Sequence, residues 1–413
     1  MDEMEEVVMH DAYVGIDWAS AVHAVCALDG SGRRKARFLV EHTEEGLDRM
    51  VDRLGSFGDR ARVPVAIERP DGVLVDRLLE AGHPVVPVKP AAIKAYRSGE
   101  TPSGAKSDPG DAEVIAEYLR LRVDRLRVLR PFSEHTLALR QTTRTRTRLV
   151  RRRVRATNHL EATLDLLWPG ALAAFPDLTT QVAGRFLSRY PSPEAAAHLG
   201  PKRMAGFLGR VGYSGTNYRS ADQILALLRG APAGVGSGPL SEGCEAVVLA
   251  QVEAMVSLCN AIRTLDRSIG SQLDEHPDAE IFLSLPHSGK VNAAQMLAEW
   301  GNCREAYETP DAVAALAGMS PVTRASGKHR VVAFRWACNK WLRSSIATFA
   351  DNSRHGSPWA AEVYRRAVER DCSHPHAVRV LGRAWVRVIW RCWVDGTPYD
   401  VDRHGAAREL AAA

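Results

Sequence analysis

Short apolar runs typical of strands alternate with longer stretches of helical spacing in the first third of the chain. Residues 12–40 contain three strand-like runs, AYVGIDWA, HAVCALDG and KARFLV, and residues 29–32 supply a turn. Residues 44–55 carry apolar side chains on one helical face. The strand VPVAIE, the helix GVLVDRLLEAG, the strand PVVPV and the helix DAEVIAEYLRL follow. The pattern therefore predicts the order βββαβαβα.

An antiparallel meander followed by alternating βα units is the order of the ribonuclease-H-like fold, so we predict an α/β domain of this class. Asp17 then ends the first strand and Glu68 ends the fourth, while Asp108 and Asp111 belong to the closing helix. A carboxylate at a buried strand is costly to desolvate unless a cation compensates it.

These four carboxylates suit a divalent cation. Mg²⁺ takes oxygen ligands, and Asp108 and Asp111, three residues apart, share one helix face. We predict that Asp17, Glu68, Asp108 and Asp111 bind Mg²⁺ or Mn²⁺ and take part in phosphodiester chemistry. Taken singly, Asp108 is better explained as a turn cap beside Pro109 and Gly110, and Asp111 as an ordinary acid at a helix start.

The pattern is helical from about residue 131 to residue 168, without Pro or Gly in the interior. Its apolar stripe consists of Val150, Val154, Leu160, Leu164 and Leu167. Its basic stripe consists of Arg140, Arg144, Arg148, Arg151 and Arg155. We interpret the helix as an arm for dimerisation, and we predict nucleic-acid backbone contact for the basic stripe and for Arg152.

The remaining pattern is helical with one interruption. Residues 169–243 are rich in Gly, Pro and Ser and are interpreted as a linker insertion, after which an apolar helix spans about residues 245–273. Arginines near the C-terminus recur every four residues beside tryptophans that we assign to core packing. The sequence does not distinguish whether these arginines contact DNA, RNA or a partner subunit. These arginines are Arg379, Arg383, Arg387 and Arg391.

The net charge of the chain is small, but positive charge is concentrated in one segment. The 413 residues carry 54 Lys and Arg against 49 Asp and Glu, a net charge of only +5. Residues 120–155, however, contain thirteen arginines and two acids. Seven scattered cysteines without a C-x-x-C pair favour reduced thiols and a cytoplasmic protein. The acidic N-terminus and the lack of a long uncharged apolar run argue against a signal sequence or membrane partner.

The segments GIDWA, AIERPDG and KSDPGDAEVIA resemble the D-E-D-D signature of insertion-sequence transposases with a RuvC-like N-terminal domain, the family that includes bridge-RNA-guided recombinases. Independently, LSLPHSGKVNAAQMLAEWG, AVAALAGMSPVTRASGKHR and CNKWLRSSIATFA resemble that family's second, transposase domain. The resemblance covers most of the chain outside residues 170–240 and the last few dozen. In the turn PHSGK the family usually has glycine where this chain has His287.

The resemblance implies that Ser326 attacks a DNA phosphate and forms a 5′-phosphoserine intermediate. It also implies cutting and rejoining of double-stranded DNA at element ends and target, guidance by a structured RNA, and a homodimer that pairs into a tetramer in which the serine of one subunit completes the acidic site of another. From the residues alone, Ser326 is better explained as a turn residue of a phosphate-binding loop, and Ser320 is the rival serine. Further candidate nucleic-acid contacts are Lys290, Arg324, Lys328, Arg330, Lys340 and Arg343.

We therefore expect an α/β domain followed by mostly helical domains. The predicted divisions are residues 1–130 for the RuvC-like metal domain, 131–275 for the helical arm with its linker insertion, 276–395 for the transposase domain, and 396–413 for a tail. Two alternatives stay open. One is a metal-dependent nuclease or junction resolvase without a covalent intermediate, and the other is a nucleic-acid-binding scaffold without activity.

Overall fold

The computed structural model describes residues 9–100, 108–130, 132–213, 219–234, 238–326, 329–405 and 407. The chain divides into two compact units, Met1–Pro131 and Phe132–Ala413.

The N-terminal unit is a mixed five-stranded sheet with helices on both faces, which confirms the predicted fold class. The strand order is β3-β2-β1-β4-β5; β1 is antiparallel to β2 and parallel to β4. The strands are β1 (Tyr13–Asp17), β2 (Val22–Leu28), β3 (Arg34–Glu41), β4 (Val65–Ile67) and β5 (Val85–Pro87). The helices are α1 (Glu44–Gly55), α2 (Val73–Glu80), α3 (Pro90–Glu100) and α4 (Asp108–Arg122).

Alternate residues of β1 face opposite layers of this unit. Val14 and Ile16 are buried in the cluster that α1 and α2 cover. Gly15 points to the other face, where a Cβ atom would collide with the backbone of Ala112 and Ala116 in α4. The missing side chain thus lets α4 lie directly on β1.

Gly15→Ala is expected to destabilise the N-terminal unit by about 1–3 kcal/mol, because the added methyl group must push α4 away from the sheet. Urea unfolding followed by circular dichroism measures the change. Gly30→Ala is the matched control, since a Cβ atom there meets nothing within 4 Å. Equal stability of the two variants would contradict the close contact between α4 and β1.

In the residues that the structure describes, the C-terminal unit is helical except for one two-stranded hairpin. Its first helices are α5 (Glu134–Leu167), α6 (Pro169–Ala174), α7 (Gln181–Arg189), α8 (Pro193–Ala196), α9 (Pro201–Arg210), α10 (Ala221–Gly230) and α11 (Pro239–Asp274). They are followed by α12 (Ala279–Leu283), α13 (Lys290–Trp300), α14 (Pro310–Leu316), β6 (Val322–Ser326), β7 (His329–Ala333), α15 (Lys340–Ser353), α16 (Pro358–Glu369) and α17 (His374–Asp395).

The long helix α5 packs along α11 of the same chain. Leu139 of α5 shares a core with Ile269 and Leu273 of α11, and near its other end Leu160 shares a second core with Val252. Part of the apolar stripe that we assign to dimerisation is therefore buried within one chain. Its member Val154, in contrast, is 49% exposed. Within the described part of the chain, α11 also has the length and hydropathy of a membrane span, but its apolar side chains supply both cores.

The predicted linker insertion is wrong for most of its length. The described residues between 169 and 230 form the five helices α6 to α10, which enclose a core of Phe175, Phe186 and Phe207. Each helix is at most ten residues long, and all but α7 begin at or directly after Pro, Gly or Ser, so each apolar pattern is too short to be recognised as helical from the sequence. The tryptophans of α17 were assigned correctly, because Trp385 and Trp393 are fully buried. All seven cysteines are free thiols.

Candidate functional site

Asp17 and Glu68 lie side by side at the carboxyl ends of two parallel strands. Ile16 of β1 pairs with Ile67 of β4, so the next residue of each strand occupies the same edge of the sheet. Parallel neighbours are about 4.8 Å apart across a sheet. Both residues are half-buried. The fold thus brings together two of the four predicted carboxylates from positions 51 residues apart.

Helix α4 runs antiparallel to β1 and directs its first turn toward the same edge. At its C-terminal end, Arg120 donates to the carbonyl of Gly30 at 3.2 Å, in the turn that follows β2. That turn lies beside the start of β1, because Tyr13 pairs with Leu28. The opposite end of α4, with Asp108 and Asp111, therefore lies toward the end of β1 that carries Asp17.

The two aspartates of α4 have different surroundings. Asp108 is exposed, whereas Asp111 is 8% exposed and forms an ion pair with Arg97 of α3. Within the described ranges, no three His, Cys, Asp or Glu side chains are grouped closely enough to hold a metal ion. The carboxylate donors have the chemistry that Mg²⁺ requires, and in this structure a guanidinium group compensates one of them.

Two contacts hold the loop beyond Asp17. The guanidinium group of Arg69 lies 4.3 Å from the ring centre of Trp18, so the residues after Asp17 and Glu68 also contact each other. His23 is fully buried, and its Nε2 atom lies 2.8 Å from Nδ1 of His42. Burial and His42 lower the pKa of His23 to about 4, so this residue is neutral at pH 7. This neutral histidine lies in the strand next to Asp17, because Asp17 pairs with Ala24 of β2.

Ser326 is the last residue of β6 and is exposed at the end of the hairpin. Its Cα partner across the hairpin is residue 329 of β7. Arg324 precedes it by two residues and therefore shares its face, whereas Arg330 pairs with Ala325 on the other face. The candidate Lys328 lies outside the described residues. The rival Ser320 precedes the strand, and its Oγ atom is buried.

The basic stripe of α5 is divided by its surroundings. Arg140 donates to the carbonyl of Ala298 at 2.9 Å, and burial lowers its pKa. Arg144 makes a two-pronged pair with Glu299, at 2.5 and 2.8 Å, and Glu299 is 1% exposed. These two arginines bind groups of the protein interior, which leaves their side chains poorly placed for the predicted nucleic-acid contact.

The later arginines of the stripe are more open. Arg148, Arg151, Arg152 and Arg155 are exposed. The guanidinium groups of Arg148 and Arg151 lie 5.8 and 5.3 Å from the ring centre of Trp341. The prediction of backbone contact therefore rests on these four side chains.

Three other predicted basic residues begin or line helices. Lys290 starts α13 and lies 3.4 Å from Asp274, and Lys340 starts α15 and is exposed. Arg343 is half-buried, with its guanidinium group 4.4 Å from the ring centre of Phe334. His287, just before α13, has φ of 56°, a left-handed conformation that glycine adopts without strain. This backbone geometry explains why a glycine suits that turn.

Two charged residues at these sites, Arg97 and Glu299, were not identified from the sequence. Arg97 belongs to α3, a helix that the pattern did not predict, and Glu299 lies in an otherwise apolar segment of α13. A single acid inside the apolar run of α13 was the available signal for Glu299, because a buried charge requires a partner.

Two family models match the chain. An IS110-type DEDD model described as a transposase matches residues 14–169, and a model described as the transposase IS116/IS110/IS902 family matches residues 279–365. The first contains all four acidic residues discussed above, and the second contains Ser326.

Several proteins of insertion elements are similar over nearly the whole chain. The mini-circle putative transposase for IS117 of Streptomyces coelicolor is 30% identical over 97% of this chain and 98% of its own length. The IS900 uncharacterized 42 kDa protein of Mycobacterium paratuberculosis is 27% identical over 97% and 99%. The IS116 uncharacterized 44.8 kDa protein of Streptomyces clavuligerus is 27% identical over 92% and 94%.

Proposed function

This chain belongs to the IS116/IS110/IS902 family of transposases, and we propose that it cuts and rejoins DNA at the ends of a mobile element with Ser326 as the nucleophile. The observation that carries the proposal is the position of Ser326. It ends an exposed strand, with Arg324 on the same face and no acidic residue in either strand of the hairpin. A hydroxyl group in such surroundings can approach a phosphodiester group.

In the proposed reaction, the Oγ atom of Ser326 forms a bond to phosphorus and loses its proton. The bond from phosphorus to the 3′ oxygen breaks, and that oxygen takes up a proton. The products are a 5′-phosphoserine and a free 3′ hydroxyl group. Attack by the 3′ hydroxyl of another strand reverses the step and rejoins the DNA. Arg324 neutralises charge on the phosphate during both steps.

We propose that Asp17, Glu68, Asp108 and Asp111 hold Mg²⁺, or Mn²⁺ in its place. A bound divalent cation activates an attacking oxygen and stabilises a leaving one. Asp17 and Glu68 are positioned by neighbouring strands, and the first turn of α4 supplies the other two. Because Arg97 pairs with Asp111, binding through all four carboxylates requires that Arg97 release this side chain.

The proposed partners are double-stranded DNA, a structured RNA encoded by the element that selects the target, and further copies of the chain in a dimer or tetramer. The exposed arginines of α5 suit phosphate contacts, which position nucleic acid without reading its sequence. We propose that the protein acts in the cytoplasm, associated with the nucleoid while active.

The test is to trap the covalent intermediate and identify its residue. The full-length protein, with any RNA that co-purifies, is incubated with Mg²⁺ and duplex DNA containing an element end. The reaction is stopped with denaturant, nuclease and protease are added, and peptides are analysed by mass spectrometry. We expect a nucleotide adduct on the peptide containing Ser326. An adduct on another residue would overturn this assignment.

One observation favours a second candidate, a metal-dependent nuclease without a covalent intermediate. In the part of the chain that the structure describes, the Oγ atom of Ser326 has no hydrogen-bond partner that would activate it, while Asp17 and Glu68 already lie together. This enzyme would release DNA with free ends on both strands and form no adduct. The same trapping experiment therefore separates the two functions.

A further inference from the structure

A basic cleft of about 550 Å³ lies between α17 and the base of the β6–β7 hairpin. Arg335, Arg379, Arg383, Arg387 and His376 line it, together with Ser320 and apolar side chains. No Asp or Glu is among the lining residues. The cleft thus concentrates positive charge in a recess of the C-terminal unit.

The protein compensates little of this charge. Asp311 lies 3.0 Å from Arg383 and 3.9 Å from Arg387, but Arg335 and Arg379 have no carboxylate partner among the described residues. Arg379 and Arg343 both contact the ring of Phe334, at 4.9 and 4.4 Å from its centre. Burial lowers the pKa of Arg379, and the repulsion between its charge and that of Arg343 lowers it further. An anion would relieve this repulsion.

Polar atoms at the cleft also lack partners. The Oγ atom of Ser320 and the Nε atom of Arg383 are buried without a hydrogen bond among the described residues, and the Nε atom of Arg343 beside the cleft is in the same state. Buried groups of this kind are normally satisfied by protein, water or ligand. All three can donate, which is the complement of a ligand rich in acceptor oxygens. Guanidinium forks match phosphate in particular.

The position of the cleft favours a DNA strand. Its residues Ser320 and Pro321 lead directly into β6, and Ser326 lies four residues beyond Val322 at the other end of the strand. At about 3.3 Å per residue this is about 13 Å, a distance that a DNA strand, which rises about 3.4 Å per nucleotide while it winds around the duplex, covers within a few nucleotides. A strand with one phosphate at Ser326 therefore has others within reach of the cleft.

We propose that this cleft binds a backbone phosphate of the DNA strand, a few nucleotides from the phosphate that Ser326 attacks. The inference rests on the proposed role of Ser326 for the identity of the strand. It assigns Arg379 and Arg335 a positioning role, and it accounts for three of the four regular arginines of α17, since Arg379, Arg383 and Arg387 line the cleft.

The first test measures how DNA binding depends on salt. Full-length protein with its co-purifying RNA is titrated into a fluorescent 40-base-pair duplex containing an element end, between 50 and 200 mM salt. Each lost phosphate contact reduces the slope of log affinity against log salt by about 0.9. We expect Arg379→Gln to reduce the slope by about one unit. Arg391→Gln is the control on the same helix, because Arg391 pairs with Asp395 outside this cleft. An unchanged slope for a folded Arg379→Gln protein would overturn the proposal.

The second test locates the phosphate. Single phosphates around the mapped cleavage position are replaced by neutral methylphosphonates, and binding is measured for the wild type and Arg379→Gln. We expect one or two replacements within a few nucleotides of the cleaved phosphate to weaken wild-type binding severalfold and to leave the variant unaffected. If Arg379→Gln weakens only binding of the co-purifying RNA, the ligand is RNA and the proposal is wrong. Since cleavage positions can be mapped whichever group attacks, failure of the Ser326 assignment remains a separate result.

Discussion

Ser326→Ala is expected to reduce DNA strand cleavage by about a thousandfold or more and to abolish the covalent adduct, because loss of a nucleophile removes the whole covalent pathway. Folding should be unaffected, since Ser326 is exposed and lies at the end of a strand. Cleavage of a labelled element end is measured under single-turnover conditions. Adduct formation is measured on a denaturing gel.

Ser320→Ala is the matched control. Ser320 precedes the same strand, and its contact with Arg335 uses the main-chain carbonyl, which the substitution retains. We expect the control to form the adduct at a rate within about tenfold of the wild type. Normal cleavage by Ser326→Ala would exclude the serine mechanism and leave the metal-dependent nuclease as the better explanation.

Arg97→Gln is expected to destabilise the N-terminal unit and to make its stability depend on Mg²⁺. Asp111 is 8% exposed, and removal of one partner from a buried ion pair costs about 3–5 kcal/mol. The carboxylate released from Arg97 becomes available to a divalent cation, which stabilises the folded state by about 2.7 kcal/mol at a hundred times its dissociation constant. Thermal unfolding in EDTA and in an excess of Mg²⁺ measures both effects.

Two controls separate charge compensation from general damage. Arg62→Gln removes an exposed pair with Asp11 in the same unit and should cost about 1 kcal/mol or less, without a change in the response to Mg²⁺. Adding Asp111→Asn to Arg97→Gln should recover stability in EDTA and remove the extra response, because the carboxylate that lost its guanidinium partner is then absent. An identical Mg²⁺ response in Arg97→Gln and the wild type would argue against Asp111 as a ligand.

The spacing of apolar residues in the sequence was sufficient to predict the strands of the sheet and the long helices. The strands of the meander, α1 and α5 were predicted within a few residues, because alternation and helical spacing act over neighbouring positions. The carboxylates at strand ends were found for the same reason. An acid that follows an apolar run is visible in the sequence wherever the strand lies in the fold.

The sequence pattern does not show which residues of different elements contact each other. Arg140 and Arg148 have the same spacing and chemistry in the sequence, yet one is held by the carbonyl of Ala298 and the other is exposed. The pair of Arg144 with Glu299 joins residues 155 positions apart. Nothing within either helix specifies these contacts, since they depend on how α5 packs against α13.

The sequence also does not show that the cleft lies near Ser326. The segment RASGKHR and the arginine repeat of α17 can each be recognised in the sequence. The first is consistent with a strand, and the second with an amphipathic helix. Their proximity follows from the packing of α15 and α17 behind the hairpin, which brings Arg335 and Arg379 to one recess from 44 residues apart. Periodicity specifies which face of an element is buried, but burial of one face against another decides which charges become neighbours.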